Sequence, residues 1–519
     1  MPASQLKELV IQLLAEVAAL RQTVAAQREE IARLKGLKGP PSIKPSGMEQ
    51  ATSPAAPKPG GGGPRRGKVR PRVAIEDQVL TVAAPAGSRF KGYLRYLVQE
   101  LVLSVRAVCY RRERWTTPDG QTVIAPLPDG CDGHFGPDLR RFVLMLYHQG
   151  QSTLPRVTTL LQSLGVAISE RQVQRLLTEQ DTAFVTEARD VLRAGLQTAA
   201  WISVDDTGAR HQATNGFCTQ IGNDHFTWFG TRRSKSRLNF LDLLRAGHTD
   251  FVLNDAGFRY LRQRDLAGPL IDRLSDATQR HFPDQPAWQA HLERLDIASP
   301  VRTDLAVIQD PARIATEGAL WGSIQAHGFL HETVVLSDDA GQFAIGEHAL
   351  CWVHAERLVH KLDTFNAQQY AVQQRVRSLT WDFYADLKAY RVGPEPRRRR
   401  TLRARFDRVF RRRTGFVTLD RLLARLWANK ADLLRVLDRP EVPLHTNGSE
   451  NDIRCHVTRR KVSAGTRSDL GRDAFLGLAK TCAKQGVAFW DYLGSRLGVP
   501  NAVAVPALPD LVRCRGQPA

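Results

Sequence analysis

Between Trp201 and Phe229 the chain alternates as a β-sheet does and breaks at a tight turn, and no other stretch constrains the fold as much. Trp201 to Asp206 reads as a short strand ending in two adjacent acids, Asp205 and Asp206. Phe217 to Ile221 and Phe226 to Phe229 read as two further strands. Gly222, Asn223 and Asp224 join them, residues that accept the backbone angles of a hairpin. Leu238 to Leu244 then takes up helical spacing. Acids at a strand end also serve as turn caps, so this pair needs partners elsewhere before it implies chemistry.

Two later segments offer partners. Thr333 to Leu336 is another strand-like run, closed by Ser337, Asp338 and Asp339. Far downstream, Asn447 suits the N-cap of a helix that carries Glu450 in its first turn, where the helix dipole favours an anion. Arg454 follows one turn later, then Arg459, Arg460 and Lys461. The Glu450–Arg454 spacing also fits a surface ion pair contributing a few tenths of a kcal/mol. Strand, hairpin, strand and helix, with a carboxylate at the end of the first strand, is how a ribonuclease-H-like sheet begins. An α/β core of that type is the fold class expected. Phe251 to Asn254 followed by Asp255 repeats the strand-then-acid pattern, which makes Asp255 a rival to Asp338 for the second position. Cys351 and His354 have ligand-like spacing, but two ligands do not make a metal site, and they read as a structural pair beside Asp338.

Residues 355–440 read as a helical insertion with Trp381, Phe383 and Tyr384 as its core. From Arg391 to Arg413 it carries eleven arginines against two acids, which fits a DNA-end contact better than a solvated face. At the N-terminus, Val10, Val17, Val24 and Ile31 alternate with Leu6, Leu13, Leu20 and Leu34 in heptads, favouring a parallel homo-oligomer over a lone amphipathic helix. Pro, Gly and Ser then dominate to about Arg72, a composition that leaves a basic linker disordered. Residues 73–135 show no clear pattern. Ser152 to Leu177 reads either as a helix-turn-helix or as a plain helical hairpin. Ser169 would cap its second helix, and Arg171 and Arg175 would be the DNA-facing residues.

The chain has 519 residues and a formal charge of +20, with 42% hydrophobic residues. Such a chain needs several cores and attracts polyanions, so nucleic acid is the expected partner. No run is apolar enough for a membrane span, and no signal-peptide pattern opens the sequence. Seven scattered cysteines suit a reducing cytoplasm, the expected location. Cys109 and Cys131 are too few to hold zinc between linker and helix-turn-helix.

Taken together, Asp205-Asp206-Thr207, Asp338 ahead of Cys351-Trp352-Val353-His354-Ala355, and Asn447 to Glu450 with Arg454 and Arg460-Lys461 resemble the transposases of the insertion sequence 66 family. The resemblance runs from the heptads to about residue 495. Asn451, where the family commonly has arginine, and Glu356, where a basic residue is usual, depart from it. It implies a DDE enzyme in which Asp205, Asp338 and Glu450 hold two Mg²⁺ ions, with Mn²⁺ able to substitute. Arg454, Arg459, Arg460 and Lys461 would grip DNA. The partners it implies are the element's terminal inverted repeats, target DNA and accessory transposition proteins. A transposon-derived DNA binder without catalysis is the alternative. The resulting organisation is a coiled coil (1–37), a linker (38–72) and an N-terminal region with the helix-turn-helix (73–198). A core follows in two parts (199–354 and 441–495) around the insertion (355–440), and then a tail (496–519).

Overall fold

The computed structural model describes residues 74–85, 87–128, 133–179, 181–211, 214–297, 310–463 and 469–516. The expected coiled coil and linker lie outside them. Arg114–Thr116 (β1) and Thr122–Ile124 (β2) form a small exposed hairpin. Four helices follow: Pro137–Leu144 (α1), Leu154–Ser163 (α2), Glu170–Thr178 (α3) and Thr182–Thr198 (α4). The helix expected to start after Ser169 does so. The Ser169 hydroxyl accepts from the Gln172 N–H at 3.3 Å, and the Gln172 side chain returns to the Ser169 N–H at 2.9 Å, a reciprocal capping box. α4 buries Phe184, Ala188, Val191 and Leu192 along one face, the spacing that lays a helix onto a sheet.

That sheet has five strands in the order β5-β4-β3-β8-β9. Trp201–His211 (β3), Thr214–Gly222 (β4) and Thr227–Arg232 (β5) pair antiparallel. Val334–Ser337 (β8) lies parallel to β3, and Glu347–Leu350 (β9) parallel to β8. β3 outruns its expected end at Asp206, because ladder pairing with β4 continues to His211↔Thr214 where the hydrophobic alternation has stopped. Ile202, Val204, Ile221 and Val335 point into the main core with α4 and with Arg237–Leu244 (α5). Val334, Leu336 and Ala349 line the opposite face with Val442.

Residues between α5 and β8 add a second, smaller sheet with four helices to the same core. Phe251–Val252 (β6) pairs with His281–Phe282 (β7), accompanied by Asp255–Gln263 (α6), Gly268–Asp276 (α7), Gln285–Arg294 (α8) and Pro311–Ala326 (α9). The chain leaves α5 through a left-handed turn, Ala246 at φ 50° and Gly247 at φ 88°. A Cβ on Gly247 would also meet Arg189 Cδ at 2.6 Å.

The stretch after β9 is helical as expected: Trp352–His360 (α10), Ala367–Val392 (α11), Pro396–Phe410 (α12), Val417–Ala428 (α13) and Lys430–Leu433 (α14). Phe383 and Tyr384 are fully buried there, whereas Trp381 is only half-buried. Trp352 packs among Phe383, Phe406 and Phe410 and donates its indole N–H to the Leu433 carbonyl at 2.8 Å. Glu356, the unusual acid, is buried and bonded to Arg377 Nε at 2.6 Å, tying α10 to α11. Asn447–Ser463 (α15) then crosses the sheet, followed by Asp469–Gln485 (α16), Phe489–Arg496 (α17) and Leu508–Gly516 (α18). The residues set aside as a tail thus contain α18, anchored by buried Leu508 and Val512. Among the described residues, no helix is long and apolar enough to cross a membrane.

Candidate functional site

Successive side chains of a strand point to opposite faces, so Ser203 and Asp205 share a face that Asp206 does not. The Ser203 hydroxyl lies 2.5 Å from that of Ser449, which identifies this face as the one beneath α15. The parallel register Ser203↔Leu336 carries on toward the strand ends and sets Asp205 level with Asp338, the residue after β8. Asp206 turns the other way, accepting from Gln342 Nε2 at 3.0 Å and pairing with Lys235. Asp339 is likewise engaged elsewhere, by Arg425 and by Asn429 Nδ2 at 3.2 Å. Asp205 and Asp338 are therefore the acids left where the parallel pairing of β3 and β8 ends.

Glu450 comes to the same end of the sheet from the first turn of α15, whose N-terminal backbone places the Glu450 N–H on the Thr446 carbonyl at 3.0 Å. Its carboxylate is largely covered. It accepts from Arg357 Nη1 at 2.9 Å and lies 3.7 Å from His354 Nε2. His354 and Arg357 stand one turn apart on α10 and so present one face to it.

Electrostatics link the three acids through His354. Burial pushes the Asp205 carboxyl up to about 7, and the nearby Asp338 charge adds to the rise. A hydrogen bond from the Asp206 N–H and the His354 charge oppose it. For His354, burial works downward but is outweighed by the hydrogen bond and charge of Cys351 and by Glu450, so the imidazole is pushed up to about 9. Burial pushes the Cys351 thiol up, yet hydrogen bonding to His354 brings it below its ordinary value. Thr446 donates to the same sulfur at 3.5 Å. Cys351 and His354 thus form the expected pair, and the pair stands between Asp205 and Glu450.

Asp205 lies close enough to Asp338 and to His354 to feel their charges, and His354 lies beside Glu450. Among the described residues, the groups whose donor atoms all lie within 4.8 Å of one another are Cys218–His456–Asp473 and His248–Asp250–His327. Glu450 is instead turned onto Arg357, a residue that sequence reasoning missed although its three-residue offset from His354 signals a shared helix face. Asp255 is nowhere near this arrangement; it is exposed at the start of α6, behind the two-stranded β6–β7 sheet.

The cations expected to meet DNA divide by burial. Lys461 is exposed, Arg454 is half-buried, and Arg460 donates to the Gly208 carbonyl of β3. Arg459 corrects the expectation. It is 2% exposed, donates to the carbonyls of Tyr147 at 3.1 Å and Ser152 at 2.8 Å, and covers the Tyr147 ring at 3.4 Å. It locks α15 to the N-terminal helices. Arg171 and Arg175 are exposed on α3, Arg175 pairing with Glu179 at 2.7 Å. Within the arginine run, Arg399 and Arg403 pair with Asp438, and Arg405 with Asp386. Arg397, Arg400 and Arg408 are exposed.

The chain matches the model described as "Transposase IS66 family" over residues 132–246 and 335–474. It is 48% identical over 321 residues to an uncharacterized protein, y4jO, of Sinorhizobium fredii, covering 61% of this chain and 97% of that one. No solved structure matches. Asp205, Asp338 and Glu450 fall inside the matched stretches, and Asp255 falls between them.

Proposed function

The chain belongs to the IS66 family of transposases, and from that premise we propose a DDE enzyme that cuts and joins DNA at the ends of an insertion sequence. The strand order supports a ribonuclease-H-like core: an antiparallel meander, β3 to β5, extended by β8 and β9 parallel to its first strand. The observation that carries the reading is that Asp205 and Asp338 sit together where the parallel pairing of β3 and β8 ends, on the face covered by the helix that bears Glu450.

The donor set fits Mg²⁺. Three carboxylates offer hard oxygen ligands, and burial and the Asp338 charge raise the cost of ionising Asp205 in a way that a cation relieves. Asp205, Asp338 and Glu450 would hold two ions, and Mn²⁺ would substitute. Bound there, the metal would supply charge neutralisation on phosphate oxygens and activation of water or a 3′-hydroxyl.

The chain's own residues do the rest. Arg357 and His354 hold the Glu450 carboxylate against α10, fixing its position. Arg454, Arg460 and Lys461 lie along the same helix, where they can take backbone phosphates and fix the strand beside the acids. α3, with Arg171 and Arg175, is the candidate reader of the terminal repeats, with α2 as the first helix of a helix-turn-helix. Target DNA and accessory transposition proteins are the remaining partners in this reading.

Glu450→Gln preserves shape and removes one metal-holding charge. Strand cleavage and transfer on a labelled element end should fall at least about a thousandfold while binding to that end stays within a few-fold. Cleavage at the native rate would reject the assignment.

A further inference from the structure

The unit between the two family-matched stretches, residues 247–334, holds a second cluster that the transposition chemistry does not use. We propose that His248, Asp250, His281 and His327 bind one Zn²⁺ ion that clamps the neck of this unit.

Each donor comes from a different point of the neck. His248 follows the left-handed turn at the exit of α5, and Asp250 immediately precedes β6. His281 opens β7 in register with Val252, and His327 caps the C-terminus of α9. His327 Nε2 lies 2.9 Å from Asp250 Oδ1 and 3.1 Å from Oδ2, and His281 Nε2 lies 3.3 Å from Oδ2. The His248 and His327 rings stack at 3.5 Å. Donor atoms of His248, Asp250 and His327 all fall within 4.8 Å of one another. Ligands at the usual zinc bond lengths of about 2.0–2.1 Å are roughly 3.3 Å apart along a tetrahedron's edge, close to the His–Asp spacings, and the stacked His248 and His327 rings would swing apart to bring one ion into both ring planes.

Ser323 donates to Asp250 Oδ1 at 3.0 Å and Arg245 to the Asp250 carbonyl at 3.0 Å, fixing the carboxylate in place. A simple His–Asp pair would account for one imidazole; here His327 and His281 both face Asp250, and His248 joins His327 and Asp250 in one donor group. Imidazole donors select zinc over magnesium, so the site is chemically separate from the three-acid centre. The Cys218–His456–Asp473 cluster is a weaker candidate, because Asp473 is taken by Arg472 at 2.8 Å and by Thr231 at 2.7 Å.

The test uses the full chain, stripped with a chelator and titrated with Zn²⁺ in excess Mg²⁺ against a chromogenic competitor. One tightly bound Zn²⁺ per chain and a rise of several degrees in Tm are expected. His327→Ala and His248→Ala should weaken binding at least tenfold. His281→Ala, at an exposed position that can be changed without unfolding the chain, should weaken it measurably too. Cys218→Ser should leave binding unchanged, and bound Co²⁺ should show a tetrahedral spectrum without a thiolate charge-transfer band. Absence of stoichiometric Zn²⁺, native affinity in His281→Ala, or a thiolate band would overturn the site. Strand cleavage by the same preparations is scored separately, so neither failure masks the other.

Discussion

Asp205 is a carboxyl that the folded protein prefers to keep protonated. Burial and the Asp338 charge raise it from the ordinary aspartate value to about 7. The raised value sets the sign: stability from this group is complete below pH ~4, where both states hold the proton, and is lost as pH rises through about 7. Asp205→Asn cannot ionise and escapes that loss. In metal-free buffer its Tm should match the native protein's near pH 4 and exceed it by pH 8, by the equivalent of about 2 kcal/mol. A gap that does not grow with pH would contradict the burial assigned to Asp205. Arg357 makes the complementary case. It neutralises Glu450 at 2.9 Å and so competes with any cation for that carboxylate. Arg357 is partly exposed and the pair is correspondingly modest. Arg357→Ala should therefore tighten Mn²⁺ binding about two- to fivefold, read by titration. Unchanged affinity would mean that the pair does not restrain the site.

At the scale of elements, α12 separates structural from available charge. Arg399, Arg403 and Arg405 are bound to acids of the same helical unit, whereas Arg397 and Arg400 face outward. If the outward face takes phosphates, Arg397→Ala and Arg400→Ala should each reduce the slope of log affinity against log salt by about one, and Arg403→Ala should not. Equal slopes for all three would make the run a solvated surface. The same division explains what the sequence could and could not disclose. β3, β4, β5 and α15 were legible because alternation, a Gly-Asn-Asp turn and first-turn polarity are local signals. β9 was not, since Glu347–Leu350 has no alternation and owes its strand state to pairing with β8. Arg459 misled for a related reason: its charge says surface, and only the carbonyls of Tyr147 and Ser152, distant in sequence, reveal a buried role. The resemblance already favoured Asp205 over Asp206, and the face that Asp205 shares with Ser203 beneath α15 gives that choice a physical reason.

For the whole molecule, the family-matched stretches and the 247–334 unit share one continuous core, with Phe251, Leu261 and Trp321 clustered alongside Ile202 and Val335. The unit is thus built onto the five-stranded sheet, and a clamp at its neck would transmit rigidity to α5 and the sheet. Each chain carries a single set of three acids, while an insertion sequence has two ends to process. On the proposed reaction two chains would meet on DNA, and the heptads at 1–37 are the segment whose sequence is suited to holding them. Valine or isoleucine at one seam position with leucine at the other favours a parallel pair, so the two attached cores would be tethered on the same side. Removing residues 1–37 leaves every described element intact. The truncated chain should scatter light as a monomer where the full chain is a dimer. It should still nick a single labelled end but lose coupled joining of two ends by at least about tenfold, because the second chain must then be recruited from solution. A truncated chain that remains dimeric at the same concentration would move the pairing surface into residues 38–519.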